Sequence, residues 1–287
     1  MSLISMHELL RHAEEHHYGV PAINVFNYES VLFAAKAAEE AGMPLIIQYF
    51  PGLASLVPLK DMEHMIEDVA GRASVPIAIH LDHSWNFELV MSGINAGFPS
   101  VMVDGSSLPY EENLALTRDV VRAAHAMGRD VEAELGHVGS GSNLDDFQNT
   151  AHFTDPDMAV EFVAETHCDS LAVAVGNAHG NYTKLPVLDF ERIAKLREVL
   201  DIPLVMHGGS DIPRDQMQKA VQLGMSKFNI ATEYQRVFYR TTQALIEANE
   251  RQDDHFGLLR KLERPCVDFV IGKIDMMNPN HYQFKSC

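Results

Sequence analysis

Eight short, mostly apolar runs recur along the chain, each followed by a longer stretch with helical spacing. No other feature of the sequence restricts the fold as much. The runs are Val20–Val25, Pro44–Gln48, Pro76–Leu81, Ser100–Asp104, Asp130–Glu134, Ser170–Val175, Pro203–His207 and Lys227–Ala231. Most are continuous rather than alternating, as expected of strands covered on both faces. Val75-Pro76 and Ile202-Pro203 open two of them, where a missing N–H disturbs a ladder least. Between the runs lie amphipathic patterns. In Glu29–Ala41 the residues Val31, Ala34, Ala35, Ala38 and Ala41 form one apolar stripe. Phe190, Ile193, Leu196 and Leu200 form another, and Met217, Ala220, Val221 and Gly224 a third. Thr232-Glu233-Tyr234-Gln235 has the form of a capping box. Eight such units in about 235 residues predict a closed (β/α)8 TIM barrel. An open doubly wound sheet would carry a Gly-x-Gly-x-x-Gly turn after an early strand, where Asn24-Val25-Phe26-Asn27 stands instead.

The 287 residues, 46% of them hydrophobic, suffice for one full-sized core, and residues 1–287 are read as a single domain. The Gly-, Ser- and Asn-rich loop 136–153 is expected to be a mobile lid or binding segment, and residues 253–287 to add an extra C-terminal helix. A net charge of −18 argues against nucleic acid or an anionic membrane as partner, since phosphate surfaces are bound by clustered Lys and Arg. Cys168, Cys266 and Cys287 are odd in number and far apart, so neither a disulfide framework nor a Cys-based metal site is expected. Met1–Glu15 reads as an amphipathic helix rather than a secretory leader. Apolar runs such as Leu171–Val175 fall far short of the roughly 18 residues of a membrane span. These readings predict a soluble, cytoplasmic protein.

A barrel gathers its active site at the carboxyl ends of its strands, so the strand exits can be read as one surface. In order they carry Asn24, Gln48, Asp82-His83, Asp104, Glu132 with Glu134, Asn177 to His179, His207 and Asn229. His83, His179 and His207 follow strands three, six and seven, and a catalytic zinc takes three protein ligands while keeping a position open. The chain has 15 histidines, and His7, His12, His16 and His17 read as ordinary surface residues. Asp104 and Glu134 fit either as partners of those ligands, as alternative ligands, or as acceptors for loop amides. His207-Gly208-Gly209-Ser210 follows strand seven, and Asn229-Ile230-Ala231-Thr232 follows strand eight and opens a helix. Barrels recurrently bind phosphate at these two loops, where free N–H groups and a helix dipole meet the anion. Lys184 is a candidate to assist there.

At these residues the sequence resembles the class II, zinc-dependent sugar-bisphosphate aldolases, in particular the tagatose-bisphosphate-type branch. The matching segments are His80-Leu81-Asp82-His83, Met102-Val103-Asp104-Gly105-Ser106 and Val131-Glu132-Ala133-Glu134-Leu135-Gly136. They continue with Gly176-Asn177-Ala178-His179-Gly180, His207-Gly208-Gly209-Ser210 and Asn229-Ile230-Ala231-Thr232-Glu233. The resemblance implies reversible retro-aldol cleavage of a ketose phosphate to dihydroxyacetone phosphate and an aldehyde. It implies Zn2+ on His83, His179 and His207, with Asp82 moving the proton of the C4 hydroxyl. It places the substrate phosphate on Gly180, on Gly208, Gly209 and Ser210, and on Asn229, Ile230, Ala231 and Thr232. Asn24 and Gln48 become candidate substrate contacts. A monovalent cation (Na+ or K+) and a homodimer or homotetramer are further expectations of the resemblance.

The chain also departs from that pattern. The family's lid glutamate has no counterpart in Gly139-Ser140-Gly141-Ser142, the nearest acids being Asp145 and Asp146. Its Asp-Pro-Arg, whose Arg holds a distal phosphate, is replaced by Asp254-His255-Phe256, and a small Ser or Thr after strand two by Phe50. An altered aldehyde half-site and a ketose 1-phosphate substrate are therefore expected, with Arg251 or Arg260 as the replacement grip should bisphosphates be preferred. The rivals are a non-catalytic sugar-phosphate-binding subunit of an aldolase complex and a metal-dependent hydrolase. The hydrolase would place His-x-His on the first strand, where Ala22-Ile23-Asn24 stands.

Overall fold

A computed structural model of the chain describes residues 2–143, 149–248 and 254–284. Eight parallel strands pair in sequence order, and the last closes on the first. They are β1 (Val20–Val25), β2 (Leu45–Tyr49), β3 (Ile77–Ser84), β4 (Ser100–Val103), β5 (Asp130–Leu135), β6 (Ser170–Val173), β7 (Leu204–Met206) and β8 (Met225–Ile230). Around them lie α1 (Met6–His16), α2 (Tyr28–Ala41), α3 (Leu59–Gly71), α4 (Phe87–Ala96), α5 (Tyr110–Ala126) and α6 (Pro156–Thr166). The ring continues with α7 (Phe190–Val199), α8 (Arg214–Gln222) and α9 (Thr232–Ala248), and α10 (His255–Met276) packs against α2 and α9. The architecture is the (β/α)8 barrel with a C-terminal helix that the alternation predicts.

Strand and helix limits are set by individual side chains. The β6 strand stops at Val173 because Asn177 turns the chain: its Oδ1 accepts the Val175 N–H at 2.8 Å. The α1 helix begins at Met6, not at the chain start, because Ser5 Oγ accepts the Glu8 N–H while Ser2 O accepts the Ile77 N–H under β3. Asn27 and Ser30 form a reciprocal capping box at α2. The box expected at Thr232 is replaced by a tertiary cap, in which Ser210 Oγ accepts the Glu233 N–H at 3.3 Å. That bond ties the loop after β7 to the start of α9.

Where it is described, loop 136–153 is bonded to the loop after β6: the His179 N–H donates to Gly139 O and the Gly141 N–H to His179 O, and Thr150–His152 form a single 3-10 turn. Asp145 and Asp146 lie outside the described residues. His12 is not an ordinary surface residue, since it stacks on His16 at 4.2 Å and bonds Tyr18 Oη through Nδ1 at 2.9 Å. Tyr282 and Phe284 pack their rings on it, clamping the C-terminal segment to α1.

Alternate residues of each strand point into the barrel. This places Gln48, His80, Asp82, Glu132, Glu134, His207, Lys227 and Asn229 inside, all buried. The α4 helix lies so close to β3 that a Cβ on Gly93 would stand 2.2 Å from Leu81 Cδ2. Gly93→Val should therefore lower stability by about 1–3 kcal/mol, the usual cost of overpacking, measured by urea unfolding. A value within error of wild type would show that the α4–β3 contact can relax.

Candidate active site

The β3 strand sets up the site through a bulge. Leu81 pairs with Val101 but Ser84 with Val103, so one extra residue is inserted on β3. His83 takes φ = 21° there, outside the usual range for a residue with a Cβ. In a regular strand Asp82 and His83 would face opposite sides of the sheet; here both line one cavity of about 620 Å3 at the carboxyl ends of the strands. A second cavity of about 610 Å3 lies at the other end, beside α1, and holds none of the strand-exit groups. Its Arg11 and Arg197 are already paired, with Asp201 and Glu14.

His179 lines the same cavity, and fully buried His207 stands behind its wall on the adjoining loop. Asn177 Nδ2 donates to His207 O at 2.9 Å. Tyr182 Oη accepts the Ala178 N–H and donates to Gly208 O. Gly208 has φ = 61°, and a Cβ would stand 1.9 Å from Ala178 O, so only glycine allows this approach. As a result one ring nitrogen from each of His83, His179 and His207 lies within 4.8 Å of the other two.

The other nitrogen of each ring is tied to the protein. His83 Nδ1 donates to Asp104 Oδ2 at 2.9 Å, His179 Nδ1 to Val138 O at 3.2 Å, and His207 Nε2 to Glu132 Oε1 at 2.8 Å. The nitrogens left for the centre are His83 Nε2, His179 Nε2 and His207 Nδ1. Buried His179 Nε2 has no hydrogen-bond partner among the described residues. A ring whose far N–H is anchored to a carboxylate or carbonyl is the usual state of a metal-binding histidine, so these residues fit a zinc ion.

The ionisation of the rings agrees with this arrangement. Burial, then the charge of His83, lowers His179 to about 4 and holds His207 well below its ordinary value, so both are neutral. Burial disfavours a charge on His83 too. The Asp82 charge, the bond to Asp104 and the charges of Glu134 and Asp104 outweigh it and raise His83 to about 9. In the metal-free protein His83 Nε2 thus carries a proton and donates it to His207 Nδ1 at 2.9 Å.

Asp82 is 3% exposed and accepts Asn24 Nδ2 at 2.7 Å and Asn229 Nδ2 at 3.1 Å. Burial works against its ionisation, but the charges of His83 and Lys227 and the Asn24 bond hold it below the ordinary carboxylate value. Asp104 accepts from His83 and from both the N–H and hydroxyl of Ser106, which keeps it ionised despite burial. Burial, then the Asp104 charge, pushes Glu134 well above its ordinary value. Both acids line the cavity, and with His83 they form a second group of closely spaced potential ligands.

Gly180, Gly208, Ser210, Asn229, Ala231 and Thr232 line the cavity as expected of a phosphate cradle. Four expected contacts do not. The Gly209 N–H is consumed by Asn229 O at 3.0 Å, and Ile230 is buried in the core. Gln48 lies deeper in the barrel, donating to Asn24 Oδ1 at 2.7 Å, so it supports Asn24 rather than a ligand. Lys184 is exposed and away from the cavity wall. Neither does Arg260 reach the wall, Arg251 lies outside the described residues, and Asp254 caps α10.

Sequence reading passed over Lys227, which is fully buried and lies 2.8 Å from both Asn229 Oδ1 and Glu132 Oε2. It stands two residues before Asn229 on β8 and so shares its inward face. Phe50, which replaces a small residue after strand two, lines the cavity beside His83, together with Leu53 and Trp85, which were not foreseen.

Comparison with known proteins agrees with the geometry. Residues 4–281 match the family model for class-II fructose-bisphosphate aldolase. The chain is 39% identical over 265 residues to the Escherichia coli (strain K12) protein YdjI, covering 92% of this chain and 93% of that one. The crystal structure of the YdjI aldolase superimposes with a TM-score of 0.87 at 33% identity, over 98% of this chain and 100% of that one. A fructose-bisphosphate aldolase from Campylobacter jejuni, 24% identical, shares the fold with a TM-score of 0.84 over 96% of this chain and 95% of its own. The chain belongs to the class II fructose-bisphosphate aldolase family and is an aldolase.

Proposed function

We propose that the chain is a zinc-dependent aldolase that reversibly cleaves a ketose 1-phosphate to dihydroxyacetone phosphate and an unphosphorylated aldehyde. The observation that carries this reading is the convergence of three imidazole nitrogens whose partner nitrogens are already engaged. Zinc held by His83, His179 and His207 would supply Lewis acidity at the ketone oxygen of the substrate. The complete ligand set, with Asp82 beside it, counts against a barrel that kept only sugar-phosphate binding.

Asp82, ionised and held at both oxygens by Asn24 and Asn229, would take the proton of the substrate hydroxyl as the carbon–carbon bond breaks. In condensation it returns that proton. The amide grip on both oxygens restricts rotation of the carboxylate, so the proton is moved at a fixed position. The phosphate of the ketose is assigned to Gly180, Gly208, Ser210, Ala231 and Thr232, at the N-terminus of the 17-residue α9.

The lining of the cavity supports an uncharged aldehyde. No Lys or Arg is among the described lining residues, whereas Asp82, Asp104 and Glu134 all are. Phe50 and Trp85, 38% and 54% exposed, stand there with Leu53. A distal phosphate would lack a charge-assisted contact worth about 1.5–3 kcal/mol.

His179→Ala and His207→Ala should each reduce zinc, measured by elemental analysis, from one ion per chain to a trace and abolish cleavage. Asp82→Ala should retain zinc while kcat falls by about 10²–10⁴-fold. Near-normal kcat in Asp82→Ala would move the proton transfer to another group. Because His83 titrates at about 9 in the metal-free protein, zinc must displace a proton below that pH. Zinc affinity should then weaken by about tenfold for each pH unit lowered from 9 to 7. Calorimetry at pH 7.5 in buffers of different ionisation enthalpy should report proton release, and buffer-independent heats would contradict it. Ketose 1-phosphates should exceed fructose and tagatose 1,6-bisphosphates in kcat/KM by about tenfold or more. Trp85 is the only tryptophan, so its fluorescence should also report their binding. A preference for the bisphosphates would refute the uncharged aldehyde site.

A further inference from the structure

The interior of a (β/α)8 barrel is ordinarily filled by layers of apolar side chains. Met102, Ala172 and Val205 form such a cluster here. The same interior nevertheless encloses Gln48, His80, Glu132 and Lys227, none with any exposed surface. A buried ion pair is on balance no more stabilising than well-packed apolar residues of similar volume. The pairing of Lys227 with Glu132 therefore calls for an explanation other than stability.

Its geometry provides one. The Lys227 ammonium meets two acceptors, Asn229 Oδ1 and Glu132 Oε2, each at 2.8 Å. An ammonium can only donate, so the carboxamide of Asn229 must turn its oxygen toward Lys227. Its NH2 group is then forced toward Asp82 Oδ1, at 3.1 Å. The flipped amide would set NH2 against the ammonium and oxygen against the carboxylate, two repulsions that outweigh the one contact its oxygen would gain with His207 Nε2, which lies 3.2 Å from Nδ2. On the other side, engaging Glu132 Oε2 leaves Oε1 to face His207 Nε2 at 2.8 Å. A carboxylate there keeps the ring proton on Nε2 and the lone pair on Nδ1.

We propose that Lys227 is a positioning residue of the aldolase. From inside the barrel, one ammonium sets the amide of Asn229 against Asp82 and, through Glu132, the ring proton of His207. The inference rests on the roles proposed above for Asp82 and His207, and it assigns their common anchor to a residue that touches neither.

The test uses the full chain, metal-free and zinc-loaded, as wild type, Lys227→Met and the double variant Lys227→Met/Glu132→Gln. The double variant removes the buried carboxylate that the single one leaves unpaired, so it decides the matter where the single variant does not fold. Heteronuclear NMR of the imidazole nitrogens should find the His207 proton on Nε2 in the metal-free wild type and on a mixture of both nitrogens in the double variant. Zinc affinity, read by competition with a chromophoric chelator, should fall by about 10–100-fold. With zinc saturating, kcat should fall by a similar factor while KM changes by less than about threefold, a split that general loosening of the fold would not produce. The proposal is overturned if the wild-type proton resides on Nδ1, a result that needs no variant. It is equally overturned if the double variant binds zinc and turns over as wild type does. Failure of the wild-type chain to bind zinc would instead sink the metal reading, while the ring-proton position still decides this one.

Discussion

Everything at the mouth of this barrel depends on the tethering of three imidazole rings by their outer nitrogens. A ring free to rotate would present its lone pair to the centre only part of the time. Here a carboxylate on His83, a backbone carbonyl on His179 and a second carboxylate on His207 fix ring plane and proton position together. Each tether comes from a different strand or loop: Asp104 after β4, Val138 in the loop after β5, and Glu132 on β5 itself. The centre is therefore defined by the closed sheet as a whole, not by any local motif.

The arrangement is built at a cost in packing. Filling the interior with Gln48, His80, Glu132 and Lys227 forgoes apolar burial, and it leaves Gln48 Oε1 and His80 Nε2 without a hydrogen-bond partner among the described residues. Burial, then the charge of Lys227, holds His80 well below its ordinary value and thus neutral, with Nδ1 bonded to Ser100 Oγ at 2.8 Å. The β3 bulge, with His83 near φ = 21°, is a second departure from ideal geometry. Both departures lie within reach of the reacting groups, where local rules are commonly broken for function. Away from the mouth, the strands and inward helix faces keep to the apolar patterns that their sequence displays.

Much of this was readable from residue order. Continuous apolar runs gave strands such as Val20–Val25 and Ser100–Val103 nearly to the residue, because both faces of each strand are buried and leave one consistent pattern. The histidine ligands and Asp82 were readable because strand exits in a barrel share one end. What stayed hidden depends on tertiary detail. The bulge has no sequence signature, since it arises where β3 and β4 fall out of step. Gly209 and Ile230 belong to loops that do form the cradle, but whether an N–H is free depends on the strand beside it, and Asn229 takes that of Gly209. Ser210 replaced Thr232 as the cap of α9 because the two loops meet in space. Gln48 and Lys227 are interior polar residues whose partners are other interior residues, and no linear pattern announces such a pair.

The most direct measurement is anomalous diffraction at the zinc absorption edge from crystals of the zinc-loaded protein. The account predicts a single strong peak per chain, about 2.0–2.1 Å from His83 Nε2, His179 Nε2 and His207 Nδ1, with the outer ring nitrogens still on Asp104, Val138 and Glu132. Zinc bound at another place, or by the opposite nitrogen of His207, would contradict it.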